Sequence, residues 1–94
     1  MVVLGIDTHK RTHTVVAIDD RGRKLAERTL ATNSRDHLDL VAWADRLDPE
    51  HVAEQIWAVE DCRHLSRRLE RDLLHARRRV VRVHPKLMAH MRDS

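Results

Sequence analysis

Asp7 and Glu60 are the side chains whose type and setting could carry chemistry. Asp7 closes the apolar run Val2 to Asp7, and Glu60 closes the run Gln55 to Glu60. A carboxylate at the end of a buried strand is costly unless it is paired or bound to a cation. Two converging carboxylates with no thiolate partner suit a hard ion such as Mg²⁺ or Mn²⁺. The competing structural role has Asp7 opening a turn and Glu60 capping the helix that follows. Asp61 would face the other way from Glu60 and reads as a helix cap. Cys62 reads as a small, partly buried residue rather than a nucleophile.

The eight histidines invite a metal reading as well. His9 and His13 are four apart, which is a zinc spacing on a helix. They flank a predicted turn between strands, where that spacing guarantees no shared face, so zinc is not the expectation. His84 reads as a helix cap. His37, His51, His64, His75 and His90 read as helix-surface residues.

The elements that must position the carboxylates follow from periodicity. Val2 to Asp7 has the pattern of a strand buried on both faces. Thr12 to Asp19 is a second strand, and Asp19-Asp20-Arg21-Gly22 a hairpin turn with Gly22 free to take a positive φ. Arg23 to Thr32 is less apolar and fits an edge strand. Leu40, Trp43, Ala44 and Leu47 then recur at helical spacing, with Asn33 or Ser34 as cap and Asp48-Pro49 as the end. Gln55 to Glu60 is a fourth strand. A second helix runs from Arg63 to Ala76, with Leu65, Leu69, Leu73 and Ala76 on one face. Val80 to Val83 is a fifth strand, and Pro85 starts a third helix.

The order β-β-β-α-β-α-β-α predicts an antiparallel meander followed by right-handed crossovers that add parallel strands beside the first. That is the layout of the ribonuclease H-like α/β fold, a mixed sheet. Asp7 and Glu60 would then emerge at one edge, where open sheets bind ligands.

Ninety-four residues are one small domain's worth of chain. Two tryptophans without Phe or Tyr leave no stacking platform for single-stranded nucleic acid. No apolar run is long enough to span a membrane, and the N-terminus lacks the pattern of a signal peptide. One cysteine allows no internal disulfide and suits a reducing cytosol. The net charge of +3 hides an asymmetry: residues 1–62 balance at −4 and residues 63–94 at +7. Arg67, Arg68 and Arg71 share a helical face, and Arg77, Arg78 and Arg79 form a cluster; both could contact DNA phosphates or simply be solvated. Lys10 and Arg11, in the loop beyond Asp7, are placed to meet a phosphate near a metal.

The run G-I-D-T-H-K-R-T-H-T-V-V-A-I-D-D, Gly5 to Asp20, resembles the opening of the DEDD insertion-sequence transposases. That family includes the Piv/MooV site-specific invertases, and its N-terminal domain is similar to the RuvC Holliday-junction resolvase. W-A-V-E, Trp57 to Glu60, and V-V-R-V-H-P-K-L-M-A-H-M-R, Val80 to Arg92, resemble two further family segments in the right order. The resemblance implies a RuvC-like domain over residues 1–94, with Asp7 and Glu60 as the first two of four acidic catalytic metal ligands. The remaining Asp-x-x-Asp pair has no match, so the chain reads as cut in its third helix with half a site. The resemblance further implies divalent-metal-dependent phosphodiester chemistry on DNA in the full-length protein. It also implies homo-oligomerisation and an element-encoded RNA in some members, and a bacterial cytoplasmic, nucleoid-associated location.

Two other classes compete. A non-catalytic nucleic-acid-binding or dimerisation module would bind salt-sensitively and ignore Mg²⁺. The first lobe of an actin-like phosphotransferase would place a Gly-rich phosphate loop after Asp7, where this chain has Thr8-His9-Lys10-Arg11-Thr12.

Overall fold

The computed structural model describes residues 1–9, 11–60 and 63–84. Five strands form one sheet: β1 (Val2–Thr8), β2 (Thr12–Asp19), β3 (Lys24–Ala31), β4 (Ile56–Glu60) and β5 (Arg79–Val83). Among the described residues two α-helices, α1 (Ser34–Leu47) and α2 (Arg63–His75), accompany the sheet. The spatial order is β3-β2-β1-β4-β5. β1, β2 and β3 pair antiparallel, and β4 and β5 extend the sheet in parallel with β1. This mixed α/β sheet follows the expected order and is consistent with a ribonuclease H-like fold. The third helix expected after Pro85 lies outside the described residues.

Short local signals set the elements. In the β2–β3 hairpin the Asp19 carboxylate accepts from Arg21 and Arg23 N–H, each at 2.9 Å. Gly22 takes a φ of +81°, the left-handed region that glycine enters without strain. The Asn33 side chain accepts from the Asp36 N–H at 2.9 Å and caps α1. The α1–β4 connection holds a 3-10 segment, Pro49–Glu54, kinked at His51, to which the sequence pattern assigns no element. α2 ends in a Schellman arrangement: Arg77 N–H reaches Leu74 O and Arg78 N–H reaches Leu73 O, both at 2.9 Å. Arg77 takes the left-handed position at φ +60°, which costs an L-residue about 1–2 kcal/mol.

Alternation along the strands sorts the two faces. Val2, Leu4, Ile6, Val15, Ala17, Trp57 and Val59 pack with Leu40, Val41, Ala44, Leu69 and Leu73 of the helices. Burying each large side chain fully is worth about 1.5–3 kcal/mol. Trp57, fully buried, donates its Nε1–H to Gln55 Oε1 at 3.0 Å. Gln55 Nε2 donates to Asp45 at 2.8 Å, and Asp45 accepts Arg78 at 2.7 Å. This polar chain ties β4, α1 and the α2–β5 turn together. β3 is the exposed antiparallel edge, and its charged Lys24, Glu27 and Arg28 discourage further pairing. No helix among the described residues is long and apolar enough to cross a membrane.

Candidate functional site

The parallel β1–β4 register pairs Ile6 with Val59. Asp7 and Glu60 are therefore the next residues on two neighbouring strands that run the same way. Ile6 and Val59 face the helices, so Asp7 and Glu60 face the other side of the sheet. Both sit at its carboxyl edge. Asp7 is 7% exposed and Glu60 half-buried, so their charges are partly withdrawn from water. Each engages in further polar interactions. The donor set at this edge is oxygen-rich and anionic, which fits a hard divalent cation. Among the described residues no group of three or more His, Cys, Asp or Glu forms a metal cluster.

His9 stands beside this pair. Its Nε2 lies 3.2 Å from Asp7 Oδ2, and its ring is 56% exposed. The His9 N–H donates to Thr12 O at 2.9 Å and so closes the β1–β2 turn. His84 follows Val83, the register partner of Glu60, and reaches the same edge. The sequence reading overlooked His9 as a neighbour of Asp7; its position two residues beyond Asp7 was the available signal.

His13 and His37 belong elsewhere. His13 pairs with Thr8 across β1–β2, and its 1% exposed ring lies on the helix-covered face. The spacing of four thus puts His9 and His13 in different surroundings. Burial, then the charges of His37 and His9, push the His13 imidazole down to about 4 from 6.5. His37 corrects the expectation that it lies on a helix surface. It is 1% exposed, stacked on His13 with ring centroids 5.9 Å apart, and bonded through Nδ1 to Asp72 Oδ2 at 2.7 Å. The physical reason is visible in α1: the buried residues are His37, Leu40, Val41 and Ala44, one helical stripe that begins a turn before Leu40. Burial raises the Asp72 carboxyl, but hydrogen bonds from His37 and Ser34 and the charges of His37 and Arg71 outweigh it, so its pKa lies below the ordinary value. Among the described residues, Thr8 Oγ1, His13 Nδ1 and His37 Nε2 have no hydrogen-bond partner. His51 and His75 are exposed, as expected.

The arginines singled out in the sequence lie at three places. Arg11 is exposed on the turn beyond Asp7. Lys10, Asp61, Cys62 and His90 lie outside the described residues. Arg67, Arg68 and Arg71 are exposed on α2, with Arg71 4.0 Å from Asp72. Arg77 and Arg79 are exposed at the opposite end of the sheet, where β5 begins beside Ile56. Four steps along the strand, about 13 Å at roughly 3.3 Å each, separate that end from Glu60. Arg78 is 18% exposed at its side chain and committed to Asp45 at 2.7 Å and to Ala76 O at 2.9 Å. Arg11 lies on the β1–β2 turn, at the end of the sheet where Asp7 emerges.

Comparison with known proteins places this geometry in context. A search of the curated proteins returns no significant match. The family model for DEDD transposases of the IS110 type, described as a transposase, matches residues 4–94. With nearly every residue inside that match, and with Asp7 and Glu60 near the carboxyl ends of two adjacent parallel strands, the chain belongs to the DEDD transposase family.

Proposed function

We propose that residues 1–94 form a RuvC-like domain whose Asp7 and Glu60 carboxylates hold a divalent ion, Mg²⁺ or Mn²⁺, for phosphodiester chemistry on DNA. The observation that carries the reading is the Ile6–Val59 register, which supports a common location for the two carboxylates. A divalent ion bound there would supply Lewis-acid stabilisation of the charge that builds on phosphate oxygens. Asp7 and Glu60 bind and orient, and their position at an open strand edge leaves room for a DNA backbone. Arg11 meets a phosphate beside the carboxylates, and Arg67, Arg68 and Arg71 add contacts that position DNA without reading its sequence. Lys10, next to Arg11 in the chain, adds a charge of the same sign. Arg77 and Arg79 would contact a more distant phosphate, and Arg78 serves the fold. Two carboxylates hold one ion weakly, so these 94 residues alone bind DNA without cutting it. Homo-oligomerisation, an element-encoded RNA partner and a nucleoid location belong to the same proposal for the whole transposase.

The exposed arginine face of α2 favours one further reading, a nucleic-acid-binding module without a metal. The test compares duplex DNA binding with and without Mg²⁺ for wild type and Asp7→Asn. The metal reading predicts that Mg²⁺ tightens wild-type binding and leaves Asp7→Asn unchanged. Salt-sensitive binding indifferent to both Mg²⁺ and Asp7→Asn contradicts it and supports the module.

A further inference from the structure

We infer that the α2–β5 turn is a phosphate clamp for duplex DNA that works without a metal, with Arg77 and Arg79 as its donors and Arg78 as its anchor. The inference rests on the reading of the chain as a DNA-binding domain and deepens it, giving the duplex a built contact at the end of the sheet opposite Asp7 and Glu60. Arg77 is the residue just past the Schellman end of α2 and takes φ +60°. Gly22, the other described residue with a positive φ, is a glycine. Glycine would enter the Arg77 position without the steric cost that an L-side chain meets there. A long charged side chain held in such a conformation points to a ligand for that side chain.

The acidic groups around the turn are engaged by other side chains. Asp45 takes Arg78 Nη2 at 2.7 Å, Asp72 is held by His37, and Glu70 by Ser66 and Arg82. Arg77 and Arg79 are exposed and make no ion pair among the described residues. Arg78, between them, is fixed by Asp45 and by its bond to Ala76 O at 2.9 Å. The two outer guanidinium groups therefore reach solvent from a fixed base, and the turn itself loses little freedom when an anion arrives. Their planar donor forks match phosphate oxygens. The turn carries no aromatic residue, so it suits a duplex backbone and offers no stacking to unpaired bases. Exposed Arg67 and Arg71 lead along α2 toward it. From Arg67 to Arg77 is about 15 Å at roughly 1.5 Å per residue, the axial length of about four phosphates on one DNA strand.

The test measures binding to a fluorescent DNA duplex of arbitrary sequence, in EDTA, over a series of salt concentrations. Wild type, Arg77→Gly, Arg77→Asn and Arg46→Gln are titrated in parallel, and each is melted without DNA. Glycine and asparagine both suit the left-handed position, so neither variant strains the turn. Each Arg77 variant weakens binding by about fivefold and lowers the salt slope by about one, at a melting temperature equal to or above that of wild type. Arg46→Gln removes the same charge from the exposed side of α1 and changes binding by less than about twofold. The inference is overturned if the Arg77 variants bind as wild type does, if Arg46→Gln weakens binding as much as they do, or if their weaker binding comes with a lower melting temperature. Wild type that binds no duplex overturns the DNA reading itself, a result distinct from failure at Arg77. With EDTA present, a failure of Asp7 and Glu60 to hold an ion leaves the outcome untouched.

Discussion

Asp7 and Thr8 are neighbours on β1 and face opposite sides of the sheet, and a different histidine stands beside each. On the open side His9 meets the Asp7 carboxylate with its ring in solvent. On the covered side Thr8 pairs with His13, whose ring is stacked on His37 and through it tied to Asp72. One side gathers charge where a ligand can arrive. The other spends its polar groups on joining β2, α1 and α2. The chemistry of a histidine here is decided by its face, and strand alternation decides the face.

The largest expected effect breaks the covered side with acid. The unfolded chain takes up the His13 proton near pH 6.5, and the folded chain refuses it until about pH 4. The stability tied to this group is complete above pH 6.5 and falls as the pH drops through that window. The interval is worth about 3 kcal/mol. Urea unfolding between pH 7.5 and 4 should show this loss in wild type and a flatter profile in His13→Leu. An unchanged slope in His13→Leu would remove His13 from the account.

A smaller effect compares the two faces directly. Asp72→Ala leaves His37 Nδ1 buried without its 2.7 Å partner, at a cost of about 1–3 kcal/mol. Asp7→Asn, on the open side, should cost less, because it also removes a charge beside Glu60. Urea midpoints at pH 7.5 check the order. A larger loss in Asp7→Asn would make Asp7 a structural residue.

Much of this was legible in the residues. Val2 to Asp7 and Gln55 to Glu60 have the pattern of buried strands, and the crossover rule puts them side by side. Asn33, Gly22 and Leu69 with Leu73 behaved as their local patterns require. The 3-10 segment Pro49–Glu54 was not legible, because six residues leave no helical period to detect. His37 was hidden by its own type: a titratable residue was assigned to solvent although its spacing to Leu40, Val41 and Ala44 puts it on the buried stripe. Arg78 was hidden similarly, since a charge in an arginine run says nothing of the Asp45 waiting 33 positions away. The contact between His9 and Asp7 depends on how a turn closes, which the pattern of types does not encode.

The proposed function requires Asp7 and Glu60 to share a divalent ion. The most direct measurement is anomalous diffraction from crystals soaked in Mn²⁺. A shared ion gives a peak within coordination distance of both carboxylates, lost in Asp7→Asn. A fully soaked crystal with no peak there, or with Mn²⁺ held by other residues alone, would contradict it.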